Sequence, residues 1–132
     1  MNDYLLDTHS FLWSIWQPDK LGRQAIAVLE NTNNNVFVSS ITFWEISLKY
    51  TLGKLTLGCK PDDLLAVADD MGFARISLSP EEAALFHKLP KLSHKDPFDR
   101  MLIWQAIARD LVLISKDNQF GHYSQHGLQV IW

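Results

Sequence analysis

The stretch LVLIS, residues 111–115, decides the fold of this chain. It lacks the polar alternation of a strand with one face in water, and it is therefore typical of a strand that is buried on both faces. VFVSS at residues 36–40 has the same character, and further β-rich apolar runs lie at residues 4–6, 74–78 and 128–132. These runs predict the strands of a buried, parallel sheet.

Helix-like segments separate the predicted strands, at residues 23–30, 43–52, 61–71, 80–88 and 97–110. The start signals of the fourth are complete, because Ser79 offers an N-cap, Pro80 suits the first helical position and Glu82 stands third. Alternating strands and helices predict an α/β protein whose parallel sheet carries helices on both faces.

Composition limits the class of protein. Of 132 residues, 47% are hydrophobic and 20% charged, with no repeat or linker, which predicts a single domain over residues 1–132. The lone Cys59 cannot form an internal disulfide. The N-terminal apolar run is short and acidic at its flanks, so we expect no signal peptide, no membrane span and a cytoplasmic location.

A net charge of −3 excludes bulk attraction to nucleic acid, so any such contact must be local.

Two aspartates follow predicted strands directly. Asp7 comes after the run YLL and Asp117 closely after LVLIS. Because parallel strands end at one edge of the sheet, both side chains are expected at the edge where such folds collect function. Taken singly, each residue is more simply explained as a turn or N-cap residue.

Glu45 also has an ordinary structural explanation. Thr42 to Glu45 fits a capping box. Lys49 stands four residues further on, where an ion pair with Glu45 can form.

Asp96 and Asp99 are close in sequence but are expected to have different roles, one as a helix cap and the other in a functional site. Asp96 fits the N-cap of a helix whose first residue is Pro97, and Asp99 fits its first turn. Residues that share the face of Asp99 are apolar, namely Leu102, Ile103 and Ala106. A carboxylate at the head of that buried face is costly unless a cation meets it, and the neighbouring Arg100 points elsewhere. We therefore interpret Asp96 as mainly structural and Asp99 as mainly functional.

Four acids at one sheet edge indicate a metal site. Asp7, Glu45, Asp99 and Asp117 can all reach that edge, where two carboxylates about 4 Å apart repel by about 4 kcal/mol. Oxygen ligands without cysteine or paired histidines suit Mg²⁺ or Mn²⁺, held directly by one or two carboxylates. Such an ion activates a water for phosphodiester hydrolysis.

At these residues the sequence resembles the PIN-domain ribonucleases, and within them the VapC-type toxins of bacterial toxin–antitoxin pairs. The resemblance covers nearly the whole chain, through the segments LLDTHSFLW, SSITFWEISLKYTLGKL, DPFDRMLIWQA, LISKDNQF and VIW. It implies a three-layer α/β/α domain whose five-stranded parallel sheet has the order 3-2-1-4-5. The chain departs from the family pattern at Trp104, where alanine is commoner, and this bears on packing.

The resemblance also implies roles for individual residues. Asp7, Glu45, Asp99 and Asp117 form the catalytic quartet around Mg²⁺, with Mn²⁺ as an alternative ion. Asp7 and Asp99 ligate it, while Glu45 and Asp117 do so directly or through water. Asp96 is an additional acid of the DPFD subgroup, and Ser115 is similar to the hydroxyl residue that assists the fourth acid.

Partners are implied as well. A VapC-like protein cleaves RNA, forms a homodimer and binds a cognate antitoxin whose C-terminal tail occludes the acidic pocket. Trp13 and Trp16 share a helix face, which more often lies in a core, although tryptophan is also favoured at interface anchors. A cationic run near Asp99 is typical of a solvated face but can hold phosphates, and it contains Lys88, Lys91, Lys95 and Arg100.

Two other functions remain open on the sequence. A haloacid-dehalogenase-like phosphatase would use an aspartate after the first strand as nucleophile, but it needs a second aspartate two positions later, where this chain has His9. A non-catalytic PIN-like module would use the acidic pocket only to receive a partner's basic side chain.

Overall fold

Five short strands form one parallel sheet in the computed structural model, which describes residues 2–92 and 94–132. The strands are β1 (Asp3–Leu6), β2 (Asn35–Ser39), β3 (Ala74–Ile76), β4 (Val112–Ile114) and β5 (Gln129–Ile131). Their order is β3-β2-β1-β4-β5, and each neighbouring pair is parallel. The predicted sheet and its order 3-2-1-4-5 are confirmed.

Helices connect the strands. The α-helices are α1 (Thr8–Trp16), α2 (Arg23–Glu30), α3 (Ser40–Thr51), α4 (Leu64–Asp70), α5 (Pro80–Leu85) and α6 (Pro97–Arg109). Short 3-10 helices occupy Pro18–Lys20, Pro61–Asp63, Phe86–Lys88 and Asn118–His126. Within the described residues, no helix combines the length and the apolar character that crossing a membrane requires.

The core has two parts, one on each face of the sheet. Leu5 and Leu6 are both fully buried, and because they are neighbours in β1 their side chains point to opposite faces. Leu5 packs in a cluster with Ile103 of α6, whereas Leu6 packs in a cluster with Phe11 of α1. The sheet therefore forms the middle of three layers, as expected for an α/β/α fold.

Helix α3 begins three residues before its predicted start at residue 43. Ser39 ends β2 in an extended conformation, and its hydroxyl oxygen accepts a hydrogen bond from the Ile41 N–H at 3.1 Å. Because this serine caps the helix directly, no loop separates strand from helix. Glu45 then lies in the helix interior, so the predicted capping box from Thr42 to Glu45 is wrong.

The predicted helices do not include α1, which follows β1 after a single residue. This residue is Asp7, and its side chain caps the helix. Trp16, near the helix end, is 43% exposed, which contradicts its predicted place in the core. Trp13 is half-buried and packs edge-on against Trp132, with ring centroids 5.8 Å apart.

Candidate acidic active site

The carboxyl ends of β1 and β4 open into a pocket of about 300 Å³. Three of the predicted acids line it together. The lining residues are Asp7, His9, Trp13, Asp99, Lys116, Asp117 and Phe120. Glu45 and Asp96 are not among the described residues that line it, but their charges contribute to raising the pKa of Asp99, which does line it.

Asp7 is the most deeply buried of the three lining acids, with 6% of its surface exposed. Its Oδ1 accepts a hydrogen bond from the Ser10 N–H at 2.9 Å, which caps α1. Burial raises the pKa of the Asp7 carboxyl, while hydrogen bonds with Ser10 and Ser115 oppose the rise. The pocket therefore holds a carboxylate whose charged form is disfavoured by burial.

Asp117 begins the 3-10 helix that follows β4. Its Oδ1 accepts from the Gln119 N–H at 2.9 Å, and its own N–H donates to the Ser115 hydroxyl oxygen at 3.1 Å. Ser115 is buried and also hydrogen-bonds with Asp7. The residue predicted to assist the fourth acid thus lies between Asp7 and Asp117.

Asp96 and Asp99 occupy the start of α6. Asp96 is the N-cap, and its Oδ1 accepts from the Asp99 N–H at 3.0 Å, which confirms the predicted cap. The Asp99 side chain is 24% exposed. Burial raises its pKa to about 6, with the charges of Asp96 and Glu45 adding to the rise and a hydrogen bond with His94 opposing it. Since Asp96 already caps the helix, the Asp99 carboxylate is left to face the pocket.

Glu45 lies in α3 with both carboxylate oxygens engaged. It is 2% exposed; Oε1 accepts from the Thr8 hydroxyl at 2.6 Å, and Oε2 pairs with Lys49. The predicted ion pair is therefore confirmed. Burial lowers the pKa of Lys49, but the hydrogen bond with Glu45 and the charges of Glu45, Asp96 and Asp99 outweigh it and leave that pKa raised. Lys49 thus supplies positive charge beside the acids.

His94 is the site residue that sequence reasoning missed. Its Nε2 lies 2.8 Å from Asp99 Oδ2, and its Nδ1 lies 3.8 Å from Asp117 Oδ2. The ring packs edge-on against Phe120, with centroids 5.0 Å apart. Burial lowers the pKa of His94, but the hydrogen bond and charge of Asp99, with a smaller contribution from Asp117, outweigh it and raise that pKa. The available signal was a histidine two residues before the DPFD segment.

The predicted cationic run contributes less to the pocket than its sequence indicates. Arg100 points away from Asp99, as its helical position predicts. Its guanidinium donates to the carbonyls of Leu89 and Pro90 at 3.3 and 3.4 Å and lies 4.9 Å from the Phe86 ring centroid, so it holds the preceding loop. The lysines of the run are exposed, and these are Lys88, Lys91 and Lys95. Lys116, which the sequence analysis did not single out, lines the pocket instead.

Comparisons with known proteins agree with this geometry. The family model for the PIN domain matches residues 4–125. A chain in the crystal structure of VapBC2 from Rickettsia felis, solved with a promoter DNA fragment, superimposes with a TM-score of 0.73 at 19% identity, over 98% of both chains.

Two further solved structures have the same fold. A chain of DNA-bound VapBC from Salmonella typhimurium gives a TM-score of 0.68 at 21% identity, over 99% of this chain and 98% of that one. A chain of a toxin–antitoxin complex from Klebsiella pneumoniae gives 0.61 at 18% identity, over 98% and 96%. A comparison with curated proteins found no match.

Proposed function

Since the chain belongs to the PIN domain family, a family of nucleases, we propose that it is a metal-dependent endoribonuclease and the toxin of a toxin–antitoxin pair. The observation that carries this proposal is the convergence of Asp7, Asp99 and Asp117 on one pocket, with Glu45 close enough to raise the pKa of Asp99. Three carboxylates brought together in this way, two of them after β1 and β4 and one in α6, favour a cation between them.

The donor set fits a divalent metal ion. PIN nucleases generally use one. Carboxylate oxygens of Asp99 and Asp117 lie within 4.8 Å of one another, close enough for one ion to bridge them in place of the His94 ring that now pairs with both. Burial raises the pKa values of Asp7 and Asp99, and a divalent ion in the pocket would offset the cost of holding their charges there. We assign Asp7 and Asp99 as direct ligands, and Asp117 and Glu45 as direct ligands or as partners of coordinated water.

Mg²⁺ or Mn²⁺ in this pocket would supply an activated water and positive charge next to the phosphate. The protein's own groups do the rest. Ser115 fixes Asp7 and Asp117 relative to each other, and Lys49 neutralises Glu45. Lys116 at the pocket wall is placed to attract a phosphate of the RNA strand.

Two partners belong to this proposal. An antitoxin is supported by the toxin–antitoxin complexes among the similar structures, and the acidic pocket is suited to receive a basic segment. A homodimer is supported by exposed apolar side chains on α3 and α5, where Trp44 is 60%, Leu48 39% and Leu85 41% exposed. An exposed tryptophan within an apolar patch is typical of interfaces.

Cleavage of single-stranded RNA by the purified chain tests the proposal. We expect cleavage in Mg²⁺ or Mn²⁺, loss of cleavage in EDTA, and near-complete loss in Asp99→Asn. Asp19→Asn removes a carboxylate from an exposed position and should leave the rate unchanged. Full cleavage in excess chelator would exclude the metal. Phosphate trapped covalently on Asp7 would favour the phosphatase alternative, and Mn²⁺ binding without cleavage would favour the binding module.

A further inference from the structure

Three aromatic rings follow one face of α1. His9, Trp13 and Trp16 stand at positions i, i+4 and i+7, which share a face of a helix. The His9 and Trp13 rings have centroids 5.6 Å apart at an interplanar angle of 42°. His9 is exposed and Trp16 is 43% exposed, so two of the three rings can be reached from solvent.

This aromatic face connects the acidic pocket to a second groove. His9 and Trp13 line the acidic pocket, and they also line a neighbouring groove of about 470 Å³. The other residues along that groove are Leu12, Trp16, Gln17, Thr56, Leu57 and Gly58. From His9 to Trp16 the helix rises by about 10 Å. A strand whose phosphate lies among the acids therefore has a continuous path along α1.

Two lysines flank the aromatic face. The Nζ atoms of Lys20 and Lys116 lie 5.7 and 5.8 Å from the ring centroid of Trp13. In a chain with a net charge of −3, these are local cations beside an acidic pocket. Aromatic rings for bases together with cations for the backbone are the features of single-strand binding grooves.

The opposite wall keeps Trp16 in place. A Cβ atom at Gly58 would lie 3.2 Å from the indole nitrogen of Trp16, so the 56–58 segment packs directly against the edge of that ring. The ring thus contacts the 56–58 segment and also lines the groove.

We infer that the groove along α1 is a subsite for single-stranded RNA, in which bases stack on Trp16 and His9 while phosphates contact Lys20 and Lys116. The inference rests on the proposed nuclease function and extends the acidic pocket by the nucleotides beside the cleaved bond. Lys20 and Lys116 beside the Trp13 ring disfavour a basic peptide along α1, beyond the acids of the pocket, so we favour RNA over a protein tail as the occupant of this groove. A duplex keeps its bases stacked inside, so it cannot use these rings.

Binding measurements in EDTA separate this subsite from catalysis. A short fluorescein-labelled single-stranded RNA is titrated into wild type and into Trp16→Ala, with folding checked by thermal melts. We expect the variant to bind about 10-fold more weakly, the size of one lost base–aromatic stack. Trp16→Phe should restore most of the affinity. Tyr50→Ala removes an equally exposed aromatic ring, 43% exposed on α3, and should bind like wild type. Lys20→Ala should reduce the slope of log affinity against log salt concentration by about one, as expected for the loss of one phosphate contact.

Three results would overturn the inference. The first is an RNA affinity of Trp16→Ala equal to that of wild type. The second is an equal loss of affinity for a duplex of the same sequence. The third is a Trp16→Ala variant that loses affinity for a labelled basic peptide but not for RNA, which would make the groove a protein-docking site. Cleavage in Mg²⁺ is read separately. If Trp16→Ala cleaves with an unchanged KM, the subsite fails while the nuclease stands. If wild type binds RNA through Trp16 and never cleaves it, the nuclease fails while the subsite stands.

Discussion

Replacing Asp99 by asparagine should stabilise the metal-free protein. The folded pKa of Asp99 is about 6, raised mainly by burial above the ordinary value of 3.8. The Asp99 carboxyl loses its proton near pH 3.8 in the unfolded chain but only near pH 6 in the folded protein. Between these pH values the unfolded chain is the better acid, so the free energy of unfolding falls as the pH rises from 3.8 to 6. At 1.36 kcal/mol per pKa unit, the loss reaches about 3 kcal/mol at pH 8 and about half of that at pH 5.

The opposing contribution is smaller. A negative charge in the first turn of α6 is favoured by about 0.3–1 kcal/mol, and asparagine loses that. The amide oxygen of asparagine can still accept from His94 Nε2, so the hydrogen bond at 2.8 Å need not be lost. The net gain for Asp99→Asn at pH 8 is therefore about 2 kcal/mol, or roughly 5–10 °C in Tm for a domain of this size.

Thermal and urea unfolding in EDTA at pH 8 and pH 5 measure this gain, and repeating them in Mg²⁺ measures the role of the ion. A hundredfold excess of Mg²⁺ over its Kd should stabilise the wild type by about 2.7 kcal/mol, and the mutant by less. Asp19→Asn, at an exposed position, controls for loss of charge alone. The assignment of Asp99 to the metal site is refuted if Asp99→Asn is less stable than wild type by the same amount in EDTA and in Mg²⁺, at both pH values. Asp99 would then only support the start of the helix.

Two further predictions concern the neighbours of Asp99. In an RNA cleavage assay, Asp96→Asn should keep most of the activity, because asparagine caps a helix about as well as aspartate. Asp99→Asn should lose nearly all of the activity. Equal losses in the two variants would show that the wrong aspartate was assigned to the pocket. His94→Ala should bind Mg²⁺ about tenfold more tightly by calorimetry, because a charge-assisted hydrogen bond to Asp99, worth about 1.5–3 kcal/mol, no longer competes with the ion. Weaker binding in His94→Ala would instead make the imidazole a ligand.

The fold was predictable because its strands are marked by composition alone. Runs such as residues 36–40 and 111–115 are apolar without alternation, and only a sheet covered on both faces buries them. Helix starts were predictable where a cap and a proline coincide, as at Ser79 and Asp96. The start of α3 was not, because Ser39 serves the strand and the helix at the same time, and a pattern of single residues does not show that overlap.

The acids were located by topology, whereas their partners depend on tertiary contacts. Asp7 and Asp117 follow adjacent parallel strands, so sequence order places them together. His94 reaches Asp117 across 23 positions of sequence and a separate loop, and no periodicity links the two residues. Trp16 shows the same limit, because its helical spacing is the same for a core face and for a groove wall.

Helix capping and metal binding are not competing roles for these aspartates, because a carboxylate has two oxygens. In Asp7 and in Asp117, Oδ1 accepts a hydrogen bond from a backbone N–H at a helix start, and Oδ2 of Asp117 turns towards His94. At α6 the two roles fall on two residues, since Asp96 accepts from the backbone and Asp99 faces the pocket. The cap fixes the position of each carboxylate through a short rigid element, which is the precision that a metal site requires. A preference for aspartate at helix starts therefore cannot decide between the two roles, and only a change in charge at constant capping, as in Asp99→Asn, separates them.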